Sequence, residues 1–216
     1  MNLLAIETSD AACSIALQVG DAIHARHEVI PMQQSQVVLP WIDELLRAKS
    51  ITLNQLDAIA FGCGPGSFTG IRLATSIAQG LGYGAGLPLI PVSSLAILAQ
   101  TAYQTLGWDR VLVAVDARMQ EIYTGAYELS AEGHMISIQD DQLCAPDKIQ
   151  WPPGAWRGVG NAWTIYPDPS LEVNTTLLPM ASALLTLAIK KYTQQEWVRP
   201  QDALPVYLRD TVAWKT

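Results

Sequence analysis

The chain has 216 residues, half of them apolar, and a formal charge of −7 at neutral pH. That length and composition support one large domain or two modest lobes with a sizeable core. The negative balance argues against the basic face that a nucleic-acid backbone requires, so direct nucleic-acid binding by the isolated chain is disfavoured.

The start, Met1 to Glu7, lacks a basic region followed by a long apolar run, and no uncharged apolar segment reaches membrane-spanning length. A cytosolic chain without a membrane role is expected. Cys13, Cys63 and Cys144 are odd in number and widely spaced, which suits neither a disulfide framework nor a zinc knuckle. All three are expected to be reduced, with Cys13 and Cys63 packed as small hydrophobes.

In chain order, the apolar run Leu3 to Ile6, the alternation from Cys13 to Val19 and the segment Ile23 to Val29 predict a three-strand meander. Between the first two strands lies Glu7-Thr8-Ser9-Asp10. It reads first as a hairpin bonded to its own backbone, and second as a turn facing a phosphate or metal. After Pro31, Val38, Ile42 and Leu45 share one face of a predicted helix near Ser35 to Lys49, with Pro40 expected to kink it or delay its start.

A strand over Ala58 to Phe61 then meets Gly62-Cys63-Gly64-Pro65-Gly66-Ser67-Phe68-Thr69-Gly70-Ile71-Arg72. Two readings compete for this loop. In one the glycines supply a turn and Ser67 or Thr69 caps the next helix. In the other, Gly64, Gly66, Ser67 and Thr69 cradle an anion at a helix N-terminus. Known motifs do not decide: Thr69 breaks the dinucleotide spacing, the Walker lysine is missing, and Pro65 spoils the hydrolase elbow.

Beyond the loop, Gly70, Ala74, Ala78, Gly82 and Gly86 recur every four residues beside a larger stripe of Leu73, Ile77 and Leu81. A small stripe admits close approach of another backbone, either the chain's own sheet or a partner helix. Leu89 to Val92 predicts a strand, and Ser93 or Ser94 caps a helix through Leu95, Leu98 and Ala99. Residues 1–105 thus form a mixed α/β lobe.

A second lobe, residues 106–216, opens with Val111 to Val115, a polar connection Asp116 to Gln120, and a strand over Ile122 to Tyr127. A strand ending in an acidic turn occurs twice, at Ile6-Glu7 and at Val115-Asp116, a weak internal repeat. Residues 129–179 predict loops and short strands, Met180 to Tyr192 an amphipathic helix, and Ala203 to Arg209 an extended segment laid over the protein. His24 and His27, three apart on a strand, point to opposite faces, so with His134 they offer no metal site. If the lobes face one another, Glu7 and Asp116 flank a cleft floored by the glycine loop, which gives an ATP-dependent kinase or ATPase reading a physical basis.

Four segments carry a resemblance: Ile6 to Leu17, Gly62 to Arg72, Val115 to Tyr123, and Pro205-Val206-Tyr207-Leu208-Arg209. In this order they resemble the bacterial TsaB (YeaZ-type) family. The resemblance implies an α/β, actin-like (ASKHA, ribonuclease H-like) fold, with two lobes of mixed sheet and flanking helices. It implies a non-catalytic accessory subunit in forming N6-threonylcarbamoyladenosine in tRNAs that read codons beginning with adenine. The implied partners are a TsaD-like catalytic subunit, a TsaE-like ATPase, and a second copy of the chain when free, with tRNA reached only through the complex.

The implied partner interface lies on the first two helices, carried here to Leu39, Ile42, Leu46, Gly70, Ala74, Ala78 and Gly82. The catalytic relative holds metal with histidines on its first helix, where this chain reads Met32-Gln33-Gln34-Ser35-Gln36. Glutamine is a poor substitute for imidazole, so no metal, cofactor or catalytic residue is expected. A peptidase reading also lacks its ligands.

Overall fold

Leu3, Leu4, Ala5 and Ile6 leave strand β1 (Asn2–Glu7) without a polar face, so both of its sides must be covered. In the computed structural model, which describes residues 1–209, they are. Leu4 and Ile6 pack with Ile15, Leu17, Ile59 and Phe61 beneath helices α1 (Gln34–Ala48) and α2 (Phe68–Ala85). Leu3 and Ala5 face the opposite way, with Ala58, Ala60 and Ile90, beneath helix α5 (Ala181–Thr193).

The first sheet runs β3-β2-β1-β4-β5, built from β1, β2 (Ala12–Val19), β3 (Ala22–Val29), β4 (Ala58–Gly64) and β5 (Leu89–Ser93). The predicted meander is present, and β4 and β5 add to it in parallel. Helix α3 (Ser94–Leu106) follows β5, with Ser93 as its cap: the Ser93 hydroxyl accepts from the N–H groups of Leu95 and Ala96 at 3.2 and 3.4 Å.

The second sheet runs β8-β7-β6-β9-β10, built from β6 (Arg110–Asp116), β7 (Ile122–Leu129), β8 (Met135–Cys144), β9 (Arg157–Val159) and β10 (Glu172–Asn174). Its central strand β6 pairs antiparallel with β7 and parallel with β9, as β1 pairs with β2 and β4. The weak repeat of strand and acidic turn is therefore a duplicated sheet topology. A short helix, α4 (Ala162–Ile165), follows β9.

Three sequence expectations need correction. Helix α1 runs through Pro40, which sits on the exposed side, and starts at Gln34. The stretch expected to hold only loops and short strands contains β8, ten residues long and broken in register against β7. Finally, α5, placed by the sequence reading in the second lobe, returns to the first sheet and packs on β1, β2 and β5. No helix among the described residues is long and apolar enough to cross a membrane.

A buried polar link ties the two sheets together. Asp141 on β8 accepts hydrogen bonds from Tyr127 on β7 and from Ser93 at the start of α3. Burial raises the Asp141 carboxyl above its ordinary range. Asp141→Ala strips two hydroxyls of their acceptor, so it is expected to lower the unfolding free energy by about 2–3 kcal/mol in urea titration, with Asp141→Asn retaining part of it.

Candidate functional site

The glycine loop is closed against the turn after β1. The N–H of Ser67 donates to the carbonyl of Ser9 at 2.8 Å, the Thr8 hydroxyl donates to the carbonyl of Gly70 at 2.7 Å, and the N–H of Gly64 donates to the Ser94 hydroxyl at 3.2 Å. Ser67 caps α2, accepting from the N–H of Gly70 at 3.4 Å. Of the candidates for an anion cradle, Gly64 and Ser67 therefore have their N–H groups engaged within the chain. Gly66 abuts Ser9, while Thr69 is exposed on the first turn of α2. The turn-and-cap reading, with Ser67 rather than Thr69 as the cap, describes this geometry.

Glu7 and Asp116 do not flank the cleft together. Glu7 is buried beside Gly62, where any added Cβ would strike its carboxylate, and its Oε1 accepts from the N–H of Ser9 at 2.5 Å. Its Oε2 has no hydrogen-bond partner among the described residues. Burial pushes this carboxyl up to about 7 from an ordinary value near 4.5. The folded state thus holds a proton between those values that the unfolded state releases, and stability falls as pH rises from about 4.5 to 7. Glu7→Gln cannot ionise. Its unfolding free energy in urea is expected to gain about 3 kcal/mol relative to wild type on going from pH 4.5 to 8; parallel pH profiles for the two proteins would refute the assignment.

Asp116, by contrast, lines a cleft of about 990 Å³ between the lobes. It pairs with Arg118 at 3.0 Å, and its N–H donates to Asn161 at 2.8 Å. Ser9, Asp10, Gln34 and the start of α2 form the facing wall. The side chain of Gln34 is turned inward and donates to the carbonyl of Asp10 at 3.0 Å.

The segment at 203–209, expected only to lie over the protein, crosses this cleft. Val206 donates its N–H to the carbonyl of Cys63 at 2.8 Å, and Tyr207 and Phe68 flank the Arg72 guanidinium. On the far side Arg209 pairs with Glu121 at 2.7 Å and donates to the carbonyl of Ala117 at 3.0 Å. Sequence reading found the segment but not its anchors, because aromatic and guanidinium groups far apart in the chain carry no spacing signal.

The interface residues divide. Leu39 is 51% exposed and Leu46 is half-buried, but Ile42 is buried in the core. Gly70, Ala74, Ala78 and Gly82 also face inward, Gly70 against Thr8 and Gly82 against Leu89. That stripe seats α2 on the chain's own sheet and is not open to a partner. A second stripe with the same spacing points outward: Ser76, Gly80 and Gly84 are exposed, and added Cβ atoms at Gly80 and Gly84 would meet nothing within 4 Å. Half-buried Leu73 and Ile77 and the 78% exposed Tyr83 lie along it. The sequence expectation covers only the first stripe; Ser76, Gly80 and Gly84 carry the same four-residue period, and only the position of the sheet distinguishes the two.

The histidines sit apart, His24 and His27 on β3 and His134 beside β8. Among the described residues no group of three or more His, Cys, Asp or Glu is placed to hold a metal. Burial pushes the thiols of Cys13 and Cys63 up to about 12, consistent with packing rather than reactivity.

Two sheets of one topology, separated by a cleft and flanked by helices, define the actin-like, ribonuclease H-like class of folds. Residues 28–213 match the family described as TsaD, tRNA N6-adenosine threonylcarbamoyltransferase. The tRNA threonylcarbamoyladenosine biosynthesis protein TsaB of Escherichia coli (strain K12) is 38% identical, covering 100% of this chain and 97% of that protein. The protein of the same name from Haemophilus influenzae is 37% identical over 100% of this chain and 96% of its own. The solved structure of YeaZ from Pseudomonas aeruginosa superposes with a TM-score of 0.90 at 40% identity, covering 96% of this chain and 100% of that one. The chain belongs to the TsaB (YeaZ-type) family.

Proposed function

We propose that this protein takes part in making N6-threonylcarbamoyladenosine in tRNA as an accessory subunit that binds and activates a TsaD-like transferase. The full-length likeness to TsaB proteins supports the pathway. The observation that carries the binding role is the outward face of α2, where Ile77 and Tyr83 border the open stripe Ser76, Gly80 and Gly84, with Leu39 exposed on α1. Apolar surface around small residues lets a partner helix approach closely and bury aromatic anchors.

In this reading the same face serves a second copy of the chain when the transferase is absent, and a TsaE-like ATPase joins the assembled pair. An acidic chain suits a subunit that leaves tRNA contacts to its partners. The accessory role also accords with Gln34 standing in the cleft wall and bonded to Asp10, with the buried Glu7 turned away from it, and with Asp116 already paired with Arg118. Reconstitution of the modification with purified components, with and without this chain, tests the proposal. Formation of the modified nucleoside should depend on it, and full activity in its absence would overturn the accessory role.

A further inference from the structure

Outside the inter-lobe cleft, the second lobe holds a separate cavity of about 350 Å³, within the range of small-molecule pockets. Its floor is Ala114 of β6 and Ile122 of β7, on the sheet face that packs against α4. Trp163 of α4 and Trp151 of the preceding loop form one wall, their rings 5.7 Å apart and inclined at 33°, and Tyr166 adds a third aromatic side chain. The indole N–H of Trp163 donates to the carbonyl of Val159 at 3.2 Å, which fixes the ring.

Two carboxylates, Asp147 and Asp168, complete the rim, and among the described residues no lysine or arginine lines the cavity. Hydrogen bonds from the hydroxyl and N–H of Ser170, at 2.6 and 2.9 Å, hold Asp168 in its ionised form, below the ordinary aspartate range. The same lobe shows what such rings do when a cation is in reach: Arg110 lies 4.2 Å over Trp156, and Arg157 stands 5.9 Å from Trp108. Among the described residues Trp151 and Trp163 have no such partner.

We propose that the Trp151, Trp163 and Tyr166 cavity is a binding site for a small organic cation bearing a quaternary ammonium group. Aromatic faces attract a weakly hydrated cation through their quadrupoles, the rim carboxylates supply charge complementarity, and the apolar floor accepts its methyl groups. A primary ammonium or guanidinium would need hydrogen-bond acceptors at the floor, where Ala114 and Ile122 offer only apolar side chains.

The test is titration of the purified chain with choline chloride and, in parallel, with its neutral isostere 3,3-dimethylbutan-1-ol, following the indole resonances of Trp151 and Trp163. Saturable choline binding is expected, with the isostere weaker by roughly ten-fold or more. Asp168→Asn keeps an acceptor for Ser170 and is expected to weaken choline several-fold while leaving the isostere unchanged. Trp151→Leu is expected to abolish choline binding. Failure of choline to saturate, equal or tighter binding of the isostere, or an Asp168→Asn variant that binds choline as wild type does would each overturn the assignment.

Discussion

Gly70→Ala is expected to destabilise the protein by more than about 3 kcal/mol in urea unfolding, whereas Gly80→Ala, ten residues along the same helix, is expected to stabilise it by about 0.5–1 kcal/mol. Alanine is the better helix former at both places, so intrinsic propensity alone predicts a gain at each. At Gly70 an added Cβ would lie 1.9 Å from the carbonyl oxygen of Thr8 and 3.3 Å from the Cα of Ser9. Both are backbone atoms, held by the hydrogen bonds that join the turn to the start of α2. The strand, turn and helix cannot separate without losing those bonds, so overpacking dominates. At Gly80 the added methyl meets nothing. A Gly70→Ala protein as stable as wild type would show that the turn does not lock the helix start. Ala78→Leu follows the same logic: Ala78 is fully buried in the first core, so the substitution should damage the fold itself, by about 1–3 kcal/mol.

These contrasts mark what the chain discloses before it folds. Strand and helix identities followed from local period, as in the all-apolar β1 and the alternating β2. Both strands are buried on both faces, and β2 alternates because Cys13, Ile15 and Leu17 fill the core under α1 and α2 while the smaller Ala16 lies on the α5 side. Even the duplication of the sheets left a trace in the acidic ends of β1 and β6. By contrast β8 was lost in a stretch rich in proline and tryptophan. It is an edge strand with register shifts, and its residues alternate too weakly to announce it.

The pattern along α2 was legible in period but not in orientation. Two four-residue stripes run along α2, and a helix sequence does not say which of two such faces meets the sheet. The sheet takes Gly70, Ala74, Ala78 and Gly82 because their small size lets α2 lie close over β4 and the Thr8 turn. Glu7 misled for a related reason. Its place at a strand end suggested the cleft, but Leu3, Ala5 and Glu7 alternate onto the face covered by α5, so strand pleating turns the carboxylate into the interior.

Gly80→Arg is expected to weaken binding to the TsaD-like subunit by roughly 100-fold or more while the urea midpoint of the isolated chain does not fall, and rises slightly as it does for Gly80→Ala. Among the described residues nothing lies within 4 Å of a Cβ at this position, so the fold tolerates the side chain and only a closely docked partner resists it. Burying an unpaired guanidinium beside Ile77 and Tyr83 adds a desolvation penalty to the steric one. Tyr83→Ala removes an exposed aromatic anchor from the same face and should weaken binding by a smaller factor. Thr105→Arg, an exposed change at the end of α3, serves as the control and should bind as wild type does. Binding measured by calorimetry, together with loss of modification in the reconstituted reaction, separates the two faces of α2. If Gly80→Arg bound with wild-type affinity, the outward stripe would not be the docking surface, and the partner would have to be sought elsewhere on the first lobe or across the cleft.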